Sequence, residues 1–421
     1  MSQTGIYRLQ CKTQSYDWGK LGNESKVAQF ASQSGAVVDP TKPYAELWMG
    51  THPNAPSVVL DESNPDQPSL KSLIENNPNL STQAIYDEFN GDLPFLFKIL
   101  SIRKALSIQA HPDKTLGARL FKEFPNVYKD PNHKPEMAIA LTPFEALCGF
   151  RPLNEIARHL EKYPELADLI GPELTNDFIS TVGDNNKDDI NKNKHALKQL
   201  FSAMMNGSET KVTELLSILV SRLSALPVSD LDTLDQLVIR LDKQYPGGDV
   251  GVFSALLLNY VVMTPGQAIF LGANEPHAYL SGDCVECMAA SDNVVRAGLT
   301  PKFKDVKVLV DMLNYRYGSA ESQKMTPAPY GSHSLLYDPP IDEFSVILTR
   351  LESNQDEKHP PIQGPSILIV TGGSGRLTGE ALKTESNFSL KEGYVYFVGA
   401  GTPLNIQAND QGVELYRAYK A

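Results

Sequence analysis

The sequence predicts a mainly β protein with an α insertion: two jelly-roll barrels in tandem, the first split by a block of helices. Three observations carry this prediction. A turn–strand–turn segment occurs twice in the second half of the chain. Residues 152–250 switch to helical periodicity. Candidate metal ligands fall on both sides of that switch.

The repeat sets Thr264–His277 beside Leu390–Leu404. With Gly266 placed on Gly393, Phe270 falls on Phe397, Gly272 on Gly399, Ala273 on Ala400 and Pro276 on Pro403. Each copy reads as a glycine-containing turn, a short apolar β-run and a second turn, which is the signature of a jelly roll. His277 falls on Leu404, so only the first module can hold a metal through this strand. Residues 1–151 and 251–325 are therefore read as the first module, and 326–421 as a second module without metal ligands.

Between the halves of the first module, Leu153–Leu160 and Val212–Leu223 carry apolar residues at three- and four-residue intervals, with Leu215, Leu216, Leu219 and Leu223 on one face. Leu234, Leu237, Val238 and Leu241 continue that stripe. The polar run Asp184–Asp189 is expected to be a loop inside the insertion, and Tyr245-Pro246-Gly247-Gly248-Asp249 a turn that ends it. Strands on either side of the insertion would then be neighbours in one barrel.

That closure matters because of what the flanking segments contain. In Ser107–Lys114, strand alternation puts Gln109 and His111 on the same side. Asn132–Met137 adds Glu136 beside Lys134, and Pro276–Asp283 adds His277 at the end of an apolar strand. Any one of these alone is more often a packing or surface residue. Together Gln109, His111, Glu136 and His277 form a mixed oxygen and nitrogen set suited to Zn2+, with a position left open for water or substrate. Ser291–Lys302 then contributes two fixed cations, Arg296 and Lys302. The bidentate geometry of an arginine makes this pair the best phosphate anchor in the chain.

Tyr16–Gly19, Tyr44–Gly50, Leu93–Lys98, Ser107–Lys114, Asn132–Met137 and His277–Lys302 closely resemble type I mannose-6-phosphate isomerases, over almost the whole chain. The resemblance implies a tandem cupin fold and one Zn2+ per chain, with ligands at Gln109, His111, Glu136 and His277. It implies a catalytic arginine at Arg296 and reversible conversion of mannose 6-phosphate to fructose 6-phosphate, feeding mannose-phosphate and GDP-mannose supply for glycosylation.

Aldose–ketose interconversion moves a proton between C1 and C2 through an enediol, so it needs a base, a proton carrier for oxygen and an electrophile. Glu286 is the leading candidate base, with Lys134, Lys98, Asp292 and a metal-bound water as alternatives. A structural pairing of Glu286 with Arg296 or Lys302 is the competing reading. Lys302, Lys98 and Ser107 are expected to bind substrate, and Lys114 and Tyr279 to line the pocket. Two other classes stay open: a metal-dependent cupin oxygenase, which Gln109 disfavours, and a non-catalytic sugar-binding cupin.

The 421 residues carry a formal charge of −12, which disfavours nucleic acid and anionic membranes as partners. A small sugar phosphate must then be captured by a local cationic pocket. The amino terminus lacks the apolar run of a secretory signal, and a cytoplasmic, monomeric chain is expected. Four cysteines are too few for a disulfide framework, and Cys284-Val285-Glu286-Cys287 reads as part of a strand. Thr371–Arg376 lacks the lysine of a P-loop and reads as a hairpin turn, and Glu352–Pro361 as a solvated loop.

Overall fold

The computed structural model describes residues 5–60, 67–183, 189–378 and 388–421. The polar run Asp184–Asp189 lies, apart from Asp189, outside the described residues, as do the first residues of the amino terminus.

Two large antiparallel sheets dominate. The first orders its strands Lys324–Met325, Ala268–Leu271, Glu136–Ala140, His277–Ala289, Phe95–Ile102, Glu46–Met49, Lys12–Gln14. The long strand His277–Ala289 belongs to two ladders. Its first part pairs with Phe144–Phe150 and, at His277, with Gln109 of the Ile108–Ala110 strand. From Gly282 onward it pairs with Phe95–Ile102, and then with Glu136–Ala140. Gly282 makes the transition possible: its φ is +109°, and a Cβ there would lie 2.5 Å from the Pro143 carbonyl oxygen. One bent strand thereby carries His277 and Glu286 into a common interior.

The repeat is visible in three dimensions. Ala268–Leu271 and Val395–Val398 are both short strands, preceded by Gly266 and Gly393 at φ +89° and +80°. His277 and Leu404 each open a long strand, His277–Ala289 and Leu404–Tyr419. The second sheet also takes in the chain's first strand, Ile6–Gln10, which pairs with Val395–Val398. Sheet membership therefore departs from sequence order at the amino terminus.

Helices run from Leu153 to Leu257. The turn at Tyr245–Asp249 interrupts this block where it was expected to end it. Asp249 is an N-cap, accepting from Gly251 N at 2.7 Å, and starts the buried helix Val250–Leu257. The same carboxylate accepts from Leu299 N and Thr300 N at 2.7 and 3.0 Å, fixing the chain just after Arg296.

Side-chain alternation explains the packing. Ile108, Ala110, Ala278, Leu280, Val295 and Ala297 share one core with the helices. Phe95, Phe97, Ile99, Val285 and Cys287 share another with Val346, Leu348, Ile367, Ile369 and Phe397 of the second sheet. Intervening residues of the same strands, among them Gln109, Arg296, Lys98 and Glu286, line an interior cavity instead.

Two loop expectations are corrected. Thr371–Arg376 is no hairpin turn but the middle of the strand Ser366–Thr378, whose register shifts twice across these glycines. Within Glu352–Pro361, Asp356–His359 is a strand paired with Leu404–Gln407, and Glu357 and His359 are buried. The four cysteines are free.

Candidate metal centre and active site

His111, Glu136 and His277 converge, with one potential ligand atom from each lying within 4.8 Å of the others. His111 Nε2 stands 3.4 Å from one Glu136 oxygen, and His277 Nε2 3.3 Å from the other. The outer ring nitrogens are engaged: His111 Nδ1 with the Asn293 carbonyl at 2.6 Å, His277 Nδ1 with the Glu275 carbonyl at 3.1 Å. A carbonyl only accepts, so each Nδ1 carries the hydrogen and each Nε2 offers a lone pair inward. Both Nε2 atoms and Glu136 Oε2 are buried without a hydrogen-bond partner among the described residues. Three inward-facing donors of this kind fit a divalent cation such as zinc.

The electrostatics agree. Burial lowers the His111 pKa to about 4, keeping the ring neutral as a ligand must be. Burial works against ionisation of Glu136, but Lys134 and His111 outweigh it and hold the carboxyl well below its usual range. Lys134 Nζ lies 2.9 Å from Glu136.

Gln109 sits between the two elements that matter most, its backbone opposite His277 on one side and Arg296 on the other. It lines a cavity of about 380 Å³ together with Lys98, Lys134, Glu136, Tyr279, Glu286, Asp292, Arg296 and Lys302. Arg296 is half-buried, and burial alone depresses its pKa, with no carboxylate among the described residues contributing. Lys302 is exposed, at the rim. Two expected pocket residues lie elsewhere. Ser107 is not among the cavity-lining residues, and Lys114 pairs outside it with Glu343 at 2.9 Å.

Glu286 is paired with neither Arg296 nor Lys302. Its partner is Lys98, at 3.1 Å, which also lies 3.4 Å from Glu46. Strand register aligns Trp48, Lys98 and Glu286 in a row across three strands, and the ammonium lies 5.1 Å from the Trp48 ring centroid. Burial raises the Glu286 pKa; Lys98 opposes the rise, and Glu136 and Glu46 add to it. Burial also disfavours the Lys98 charge, but the surrounding carboxylates hold its pKa above the ordinary value. Glu46, Trp48, Tyr16 and Trp18 line the cavity without having been singled out for it. The alternation of Glu46 and Trp48 on one short strand was the available signal.

The second module repeats the layout with other residues. His359 faces Leu404 as Gln109 faces His277. Ser366 faces Val398 as Glu136 faces Leu271, and Arg417 faces Leu368 as Glu286 faces Ala138. Arg417 is fully buried; its Nε donates to Ser366 Oγ at 2.9 Å, and its Nη1 lies 3.5 Å from His359 Nδ1.

An antiparallel jelly-roll sheet carrying a buried His–Glu–His cluster, with a second such sheet packed against it, defines a cupin-type protein with a candidate metal centre. Residues 6–153 match the type I phosphomannose isomerase catalytic domain, 169–258 its helical insertion domain and 334–379 its C-terminal region. The chain is 46% identical to the mannose-6-phosphate isomerase of Candida albicans, covering 100% of this chain and 99% of that one. It is 46% identical to the Saccharomyces cerevisiae enzyme, with 98% of each covered. A variant of phosphomannose isomerase from Salmonella typhimurium superposes with a TM-score of 0.82 at 33% identity, covering 99% of both chains. A mannose 6-phosphate isomerase bound with zinc and yttrium gives 0.83 at 32%, covering 99% of this chain and 100% of that one. The chain belongs to the type I phosphomannose isomerases and is an aldose–ketose isomerase.

Proposed function

We propose that this chain interconverts mannose 6-phosphate and fructose 6-phosphate with one zinc ion, by proton transfer through an enediol, supplying mannose phosphate for GDP-mannose and glycosylation. The observation that carries the reading is a cluster of three unpartnered buried ligand atoms whose Glu136 lines the same cavity as Arg296, a guanidinium without a salt-bridge partner among the described residues. Gln109, His111, Glu136 and His277 would hold the ion, which when bound acts as a Lewis acid on sugar oxygens.

The protein's own groups divide the remaining work. Arg296, with Lys302 at the rim, anchors the phosphate and orients the sugar across the cavity. Glu286 is the candidate base, because burial raises its affinity for a proton while Lys98, 3.1 Å away, opposes that rise. Lys134, 2.9 Å from Glu136, is the candidate group to serve a substrate oxygen. A monomer is part of the proposal. A cytoplasmic location is part of the same proposal. Among the described residues no helix is long and apolar enough to cross a membrane.

A coupled isomerase assay before and after chelation tests the reading. Activity should vanish on chelation and return with added zinc. Full activity after metal removal would reject it, and iron with oxygen uptake would favour an oxygenase. Glu286→Gln should abolish turnover while zinc content is kept; retained turnover would remove Glu286 as the base.

A further inference from the structure

Glu343 belongs to the second module, in the connection between the strands Ser334–Tyr337 and Ser345–Leu351, yet its charged partners lie in the first. Its Oε1 is 2.6 Å from His133 Nε2 and 2.9 Å from Lys114 Nζ. The residue is buried, 6% exposed, and so largely is His133, while Lys114 reaches the carboxylate from the surface.

Lys114 opens the helix Lys114–Glu123 directly after His111-Pro112-Asp113, and His133 precedes Lys134-Pro135-Glu136. One carboxylate oxygen therefore ties together the loop that follows His111 and the loop that leads into Glu136. Pro112 and Pro135 each stand between the clamped residue and the ligand, and their fixed φ stiffens those short connections. Asn293 spans the same two segments at a second point. Its carbonyl holds His111 Nδ1, and its side-chain amide donates to the Asn132 carbonyl at 2.8 Å.

We propose that Glu343 is a positioning residue of the isomerase: from the second module it sets the separation of the His111 and Glu136 loops, and so governs metal retention and turnover. It touches neither the metal position nor the substrate cavity. This gives the ligand-poor module a part in the reaction, and it rests on the reading of His111, Glu136 and His277 as the metal site.

The test compares zinc release from the zinc-loaded protein to a chelating dye, together with kcat and KM, in Glu343→Ala, Glu343→Gln and Lys114→Met. Direct outer partners of metal ligands typically change affinity about 10- to 100-fold; Glu343 holds the ligand loops and not the ligands, so Glu343→Ala should reach the low end, releasing zinc roughly tenfold faster. Its kcat should fall by more than its KM rises. The amide oxygen introduced by Glu343→Gln can still accept both hydrogen bonds, so that protein should fall between Glu343→Ala and wild type. Lys114 is exposed enough that Lys114→Met should fold and show a smaller change in the same direction. Lys26→Met serves as control: it breaks the 3.5 Å contact with Glu392, which touches neither ligand loop, and should leave zinc release unchanged. Wild-type release and turnover in both Glu343→Ala and Lys114→Met would overturn the clamp. Unaltered zinc binding in His277→Ala would instead overturn the metal site beneath it.

Discussion

Replacing Lys98 by methionine keeps most of the side-chain volume but leaves Glu286 buried without its cation. At 3.1 and 3.4 Å from Glu286 and Glu46, and with an effective dielectric of about 20, the attraction removed is roughly 5 kcal/mol per pair. The net loss has a ceiling, because the folded variant can protonate Glu286 instead. Taking up that proton at pH 7, about 2.5 pH units above the ordinary value of 4.5, costs roughly 3.4 kcal/mol. The sign follows from the raised pKa. The folded state holds the proton more tightly than the unfolded chain, so stability is complete below 4.5 and is lost as pH rises through the folded value. Lys98→Met should therefore be less stable than wild type at pH 7 by up to about 3 kcal/mol, with this ceiling falling to about 1 kcal/mol at about pH 5.5. Urea unfolding of both proteins at the two pH values, zinc-saturated throughout, measures it. A deficit that is the same at both pH values, or below about 1 kcal/mol at pH 7, would refute the buried-charge argument.

If Arg296 is the proposed phosphate anchor, Arg296→Ala would lose a charge-assisted bidentate contact and should lower kcat/KM by about a hundredfold or more, while Arg296→Lys should recover part of it. A change below about threefold in the coupled assay would reject the anchor. Gly282→Ala must force a left-handed residue and displace a backbone carbonyl 2.5 Å away, so a stability loss of at least about 2 kcal/mol is expected. A denaturation midpoint within error of wild type would mean that the bend in His277–Ala289 is not under this constraint.

Much of the architecture was legible because it is written in local patterns. The repeat was readable as residue identities at matched spacing, and it coincides with the starts of paired strands in both modules. The helical block was readable from its period, but its end was not: Asp249 caps one more helix through Gly251 N, and its carboxylate is fixed there by Leu299 N and Thr300 N, contacts that no local window contains. The glycines at Thr371–Arg376 look like a turn in sequence, yet in a long bent strand they serve as bulges. At the site, strand alternation and the family resemblance together gave the expected set Gln109, His111, Glu136 and His277, of which the structure brings the ligand atoms of His111, Glu136 and His277 together. The Lys98–Glu286 pairing was not expected, because it depends on cross-strand register between segments far apart in the chain. Glu343 carries no local signal at all; only the docking of one module on the other brings it to His133 and Lys114.

The register match between Glu286 and Arg417 has a consequence for how the two halves withstand metal loss. In the catalytic half, three inward-facing ligand atoms have no hydrogen-bond partner among the described residues, so if they hold the proposed ion that half should soften when it is stripped. In its twin the guanidinium is part of the polypeptide, hydrogen-bonded to Ser366 and beyond the reach of any chelator. Amide exchange on the apoprotein should accordingly quicken along Glu136–Ala140 and the start of His277–Ala289, while Ser366–Val370 and Val413–Tyr419 keep their protection.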